Sequence, residues 1–254
     1  MAEAYESILV ENVKFDSDGH QLLGRVYRPN AEGRFPAVAI CHGYPGDTKN
    51  NDLAEELAVN GIVALIFFYR GAWGSGGKYS FDGLTPSTRD AISYLKSLPQ
   101  VDPSRVGLVG FSLGAVPLVA ALSSDPLLKT GVFVSPGSDL AALAPKEALD
   151  IVMGVFIKMA EGKLSGLDAD TMKEGFNWVL ENGNPVDLIG DVSVPVMVVV
   201  GSNDKLTPPD VCRKLYEAAN EPKSWVLIEG ADHIYSEHRY PLMAAVLDWL
   251  RKNL

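Results

Sequence analysis

Six short aliphatic runs constrain this chain more than any other feature: PAVAIC, IVALIFF, RVGLVG, TGVFVS, VPVMVVVG and SWVLIE. None shows the apolar–polar alternation of a strand with one wet face, so each reads as a strand covered on both sides. Between them lie DLAEELAVNG, TPSTRDAISYLKSL, LGAVPLVAALSS, PPDVCRKLYEAAN and YPLMAAVLDWLRKNL, with apolar residues at three- and four-residue spacing. That spacing gathers the apolar side chains on one face of a helix. Strands alternating with helices imply an α/β chain, with a mostly parallel sheet and helices on both of its faces. The opening differs. ILVENVKFDSDGHQLLGRVYRP alternates, with Val13, Phe15, Leu23 and Val26 as apolar positions around the turn residues DSDGH, and predicts an antiparallel N-terminal hairpin.

The length fits one large α/β domain, so residues 1–254 are expected to form a single domain. From Ser138 to Pro185 the rhythm breaks, because LAALAPKEALDIVMGVFIKMAEG and DADTMKEGFNWVLENG are both helical patterns with no strand between them. This segment, approximately 139–185, reads as a helical cap insertion after the sixth strand, over the carboxyl edge of the sheet; an ordinary pair of surface helices is the alternative. With 32 Asp and Glu against 22 Lys and Arg, the net charge of −10 repels phosphate backbones and anionic membrane surfaces, which argues against nucleic acid as a partner. MAEAYESILV has no basic segment ahead of an apolar run, and no window reaches the ~18 apolar residues of a membrane helix. No membrane association and a cytoplasmic location are expected. Cys41 and Cys212 form no CxxC pair, and no His, Asp or Glu cluster has ligand spacing, so no disulfide, metal or cofactor is expected.

The stretch VGLVGFSLGA sets Ser112 between Gly110 and Gly114, after an aliphatic run and before an Ala-rich helical pattern. A chain that passes this abruptly from strand to helix turns sharply at Ser112, and the positions two before and two after the apex are crowded enough to call for glycine. Such a turn holds the apex hydroxyl out of the backbone, as a nucleophile requires. A serine that merely N-caps the next helix is the other reading. A serine nucleophile needs a base, and the chain has four histidines. His20 falls in the hairpin turn and His42 in CHGYPG. His233, in EGADHIYSEH after the last strand, lies on a loop at the same edge as Ser112 and is the preferred base, with His238 as runner-up. The orienting carboxylate is best supplied by Asp204, in SNDKLTPP; Asp139, one strand earlier, competes, and Asp232 reads as a solvated neighbour of His233. Oxyanion donors are expected from backbone N–H groups: that of Leu113, next after the nucleophile, and that of Tyr44, in the Gly/Pro turn after PAVAIC.

Taken in order, HGYPG, YRGAWGSGG, GFSLGA, GSNDKLTP and GADH resemble the α/β-hydrolase superfamily over nearly the whole chain. The short length, the leading hairpin and the insertion resemble small carboxylesterases, including feruloyl-esterase-like and acylaminoacyl-peptidase-like catalytic domains. The resemblance implies an α/β-hydrolase fold with a small helical cap. It implies Ser112 as nucleophile, Asp204 as acid, His233 as base, and Tyr44 and Leu113 as oxyanion-hole donors. Phe111 departs from the pattern, since many such esterases carry histidine there. The expected function is cofactor-independent serine hydrolysis of small-molecule carboxylic esters through an acyl-enzyme. Amidase or aminopeptidase-like activity would use the same groups, whereas a non-catalytic binding protein of this fold would have lost one of the three. Trp73 together with Met153, Phe156, Phe176 and Trp178 of the insertion are the expected substrate-binding residues. The oligomeric state is left open, with a homodimer as one option.

Overall fold

A computed structural model describes residues 4–254. Ile8–Ser17 (β1) and His20–Pro29 (β2) form the expected hairpin, joined by Asp18 and Gly19 at φ 53° and 76°. Consecutive positive φ values give the two-residue turn whose twist matches that of paired strands, and Asp-Gly is among the pairs that adopt it most readily. Strands and helices then alternate: Phe35–Cys41 (β3), Asn51–Val59 (α1), Val63–Phe67 (β4), Leu84–Ser97 (α2), Val101–Phe111 (β5), Ala115–Ser124 (α3) and Gly131–Val134 (β6). The insertion holds Leu140–Leu143 (α4), Leu149–Ala160 (α5), Ala169–Asn182 (α6) and Pro185–Leu188 (α7). Val196–Gly201 (β7), Pro209–Ala218 (α8), Lys223–Ile228 (β8) and Arg239–Asn253 (α9) complete the chain.

One eight-stranded sheet results, in the order β1-β2-β4-β3-β5-β6-β7-β8. The pairs β1–β2 and β2–β4 are antiparallel, and from β4 to β8 every neighbouring pair is parallel. Alternation of side chains along each strand divides the core into two layers. Along β3, Ala37, Ala39 and Cys41 face the layer that holds α2, α3 and α8, while Val38 and Ile40 face the layer that holds α1 and α9. Neither face of the central strands is wet, which is why their sequences show no alternation. SWVLIE departs from that expectation. As β8 it forms the sheet edge and is only partly buried, with Leu227 exposed and Trp225 covered on one side by Tyr216 and the Arg213 guanidinium.

The first helical pattern of the insertion is not continuous. Pro145 cannot extend α4, and a short 3-10 turn separates it from α5. The insertion rests on the glycine-rich loop after β4: Trp73 N–H donates to Lys163 O, Tyr79 N–H to Ser165 O and Ser165 N–H to Gly71 O, all at 2.8–2.9 Å. Because β3, β5, β7 and β8 are parallel, their carboxyl ends share one edge, and the insertion lies over it. Among the described residues no helix is long and apolar enough to cross a membrane.

The two faces of α1 give a direct check on the layering, because Leu57 is fully buried and Glu55 is exposed. Leu57→Ala should lower the unfolding free energy by about 2–5 kcal/mol, and Glu55→Ala should change it by less than about 0.5 kcal/mol, as read by urea denaturation.

Candidate active site

β5 runs directly into Ser112, whose φ of 50° turns the chain into the single 3-10 turn Ser112–Gly114 and then α3. A left-handed conformation costs a non-glycine residue roughly 1–2 kcal/mol, and such outliers concentrate at functional sites. A β-carbon on Gly110 would stand 2.8 Å from both the Gly114 carbonyl oxygen and Leu118 Cδ1, while one on Gly114 would overlap the carbonyl oxygen of Cys41. The paired glycines thus let α3 close against β5 and let the turn close against the end of β3. No side chain caps the 3-10 turn or α3, so Ser112 does not act as an N-cap.

On the loop after β7, Asp204 is buried and fully occupied by hydrogen bonds. Its Oδ1 accepts from the Leu206 and Thr207 N–H groups at 2.9 Å, and its Oδ2 from Thr207 Oγ1 at 2.9 Å. The same Oδ2 lies 2.9 Å from His233 Nδ1. Burial alone would raise the Asp204 carboxyl, but the hydrogen bond and charge of His233, with the Thr207 N–H, outweigh it and hold the group below the ordinary carboxylate range. With Nδ1–H donated to this carboxylate, Nε2 of the neutral ring is left as an acceptor. His233 and Ser112 border the same cavity. No hydrogen bond joins them among the described residues, and contacts of this kind often tighten only when substrate is bound.

The competing carboxylates are engaged elsewhere. Asp139 caps α4 by accepting from Ala142 N–H and pairs with Lys214 at 2.9 Å. Asp232 accepts from the backbone and hydroxyl of Ser236. His238 stands at the N-terminus of α9, and His20 opens β2, exposed.

The HGYPG turn follows β3 and packs directly on the serine, since a β-carbon on Gly43 would stand 2.9 Å from Ser112 Cβ. His42 Nδ1–H donates to its neighbour's carbonyl, Gly43 O, at 2.7 Å. The carbonyl and N–H of one peptide plane point in opposite directions, so anchoring Gly43 O turns the Tyr44 N–H away from His42. That N–H meets no acceptor among the described residues. The Leu113 N–H lies in the first turn of a helical segment, where donors lack intrahelical partners. Tyr69 OH donates to His42 O at 3.1 Å and Trp73 Nε1 to Pro45 O at 2.8 Å, which braces the turn from behind. Tyr44 OH donates to Phe156 O at 2.7 Å, and the two rings stack with centroids 4.6 Å apart.

Above Ser112 lies a cavity of about 480 Å³, with Tyr44, Leu113 and His233 at its floor and the insertion as its roof. Phe156 and Phe176 border it, as expected. Met153, Trp178 and Trp73 do not. Met153 is 1% exposed and packs into the core, Trp178 points outward at 42% exposure, and Trp73 serves the HGYPG turn. The reason lies in α5, which carries two apolar stripes beside an exposed face that includes Asp150, Gly154 and Lys158. Met153, Ile157 and Ala160 form the stripe packed inward, while Val152, Val155, Phe156 and Met159 form a second stripe on the cavity. Their i, i+3, i+4, i+7 spacing was a readable signal for a second face, but not for which face meets the cavity.

A family model described as X-Pro dipeptidyl-peptidase (S15 family) matches residues 18–150, just over half of the chain. An uncharacterized protein of Mycobacterium tuberculosis is 30% identical over 217 residues, covering 85% of this chain and 69% of its own length. A polyketide transferase of Stachybotrys chlorohalonatus is 26% identical over 268 aligned positions, covering 88% and 90%. Among solved structures, Est1E of Butyrivibrio proteoclasticus with ferulic acid bound superposes with a TM-score of 0.76 at 20% identity, covering 95% of this chain and 98% of that one. That likeness is one of fold.

Two measurements test the site's architecture. Gly114→Ala should destabilise the protein by more than about 2 kcal/mol, since backbone rather than a movable side chain fills the space. The second concerns His42, which is buried with Nε2 lacking a partner among the described residues. Burial, partly opposed by the bond to Gly43 and reinforced by the charge of Lys49, pushes its imidazole down to about 4. The unfolded chain takes up this proton at about pH 6.5, so protons favour unfolding below that value, and stability falls as the pH drops toward about 4, by up to about 3 kcal/mol. His42→Gln should flatten this part of the curve in thermal melts taken at about pH 7 and about pH 4.5.

Proposed function

The chain belongs to the X-Pro dipeptidyl-peptidase (S15) family, within the α/β-hydrolase superfamily, and from that premise we propose that it is a serine hydrolase cleaving neutral carboxylic esters through an acyl-enzyme. The observation that carries this reading is the cavity, where a strained serine and an aspartate-bound histidine open into a chamber walled by apolar side chains.

Ser112 Oγ attacks the ester carbonyl while His233 Nε2 takes its proton, and Asp204 holds the ring by Nδ1 and stabilises the cation that forms. Negative charge developing on the carbonyl oxygen meets the N–H groups of Tyr44 and Leu113, the former aimed by the His42–Gly43 hydrogen bond. His233 then gives the proton to the departing alcohol. Water, deprotonated by the same Nε2, attacks the acyl-enzyme and releases the acid, and Ser112 regains its proton.

The family description raises the question of peptide substrates. A peptidase that releases N-terminal units has to hold a terminal ammonium, and that calls for a free carboxylate in the pocket. Among the described lining residues Asp47 is the one carboxylate, and Lys163 pairs with it at 2.8 Å. The remaining walls are apolar and suit a neutral acyl group.

In purified protein, Ser112→Ala should lower ester turnover by several orders of magnitude and abolish fluorophosphonate labelling. Asp204→Asn should cost about 10⁴-fold in kcat, with His233→Ala at least as damaging. Asp139→Asn and His238→Ala should retain turnover within about tenfold of wild type. Equal losses for Asp139→Asn and Asp204→Asn would show that the acid is misassigned.

A further inference from the structure

The mouth of the cavity is apolar on the outside as well as the inside. Val155 and Met159 of α5, Leu206 of the loop that carries Asp204, and Ile234 next to His233 all line the cavity, yet they remain 51%, 40%, 64% and 50% exposed. Single exposed apolar side chains are ordinary on a protein surface. Four of them, contributed by three separate elements and converging on one opening, are not a scatter. They continue the apolar wall from the floor at Ser112 out to solvent.

We infer that the substrate is a neutral ester whose acyl chain is long enough to reach the mouth of the cavity, and that Leu206, Ile234 and Met159 form an outer subsite that holds the far part of that chain. The inference rests on the ester-hydrolase reading above and specifies its substrate class. Two features of the cavity point to this occupant. The outer wall is continuous with the chamber above Ser112, so a chain attached there as an acyl-enzyme has an apolar path to follow from floor to mouth. No lysine or arginine lines the cavity among the described residues, and its single carboxylate is paired with Lys163. A charge on the part of the chain inside the chamber would therefore find no counter-ion, so that part is neutral. An acetyl or butyryl group is too short to run the length of this wall. A fatty-acyl chain of ten or more carbons would cover the outer side chains, removing apolar surface that is otherwise wet.

The test compares p-nitrophenyl butyrate with p-nitrophenyl decanoate, both below their aggregation concentrations, in wild type and in Leu206→Ser, Ile234→Ser and the double variant. Both positions are exposed, so the fold should survive, and fluorophosphonate labelling of Ser112 in each variant checks that it does. Wild type should favour decanoate in kcat/KM. The ratio of decanoate to butyrate should fall by about tenfold in the double variant, mainly through KM, as expected for lost apolar contacts outside the reacting centre. A ratio unchanged in all three variants, with butyrate still hydrolysed, would overturn the outer subsite while leaving the esterase reading intact. A ratio unchanged while the double variant turns a dimer into a monomer by light scattering would make the rim a self-association face and overturn the inference in the same way. Failure of wild type to hydrolyse either ester would overturn the esterase reading and the subsite with it.

Discussion

The carboxyl edge of this sheet depends on one close approach of backbone to backbone. Gly114, in the turn after β5, lies against the carbonyl of Cys41 at the end of β3, and Gly43, just beyond, lies against Ser112. No side chain fits between these segments. The approach fixes the positions of the strained serine and the HGYPG turn relative to each other. The sheet supplies the framework for this: β3 and β5 are adjacent and parallel, so their ends fall side by side without any further device.

Electrostatics then sort the polar groups that this edge buries. Asp204 stays ionised although enclosed, because two N–H groups, a hydroxyl and an imidazole compensate for lost water. His42 takes the opposite course. Its hydrogen bond serves the turn, and it stays neutral because burial and the charge of Lys49 both disfavour the proton. Lys49 in turn rests over the rings of Trp73 and Phe68, a cation held by aromatic faces. Two histidines on one edge are thereby set to different tasks by what surrounds them.

The framework was legible in the sequence because it depends on periodicity. Unalternated aliphatic runs, the turn residues DSDGH and the Gly-x-Ser-x-Gly spacing between strand and helix pointed to the hairpin, the parallel sheet and the sharp turn at Ser112, all of which are present. The pairing of Asp204 with His233, rather than of Asp139, could be ranked but not decided, because loop geometry and the competing ion pair to Lys214 are three-dimensional facts. The roof was least legible. A helix such as α5, with two apolar stripes, does not show by its periodicity which of them meets the cavity, so Met153 was expected on the cavity wall while Val152, Val155 and Met159 were missed. Trp178 and Trp73 misled for a related reason: an aromatic side chain can serve a pocket, a surface or a neighbouring turn, and its identity does not say which. SWVLIE resembled an interior strand because an edge strand in a parallel sheet can carry the same composition as its neighbours.

Tyr44 reaches in two directions. Its backbone belongs to the turn beside Ser112, while its side chain stacks on Phe156 and donates to that residue's carbonyl in α5. Roof and floor are therefore mechanically joined through one residue, and they cannot be treated as separable modules. Reshaping the chamber by changes that shift α5 would also pull on the turn below it. Variation that alters the pocket without disturbing its floor is thus confined to side chains that leave the axis of α5 where it is.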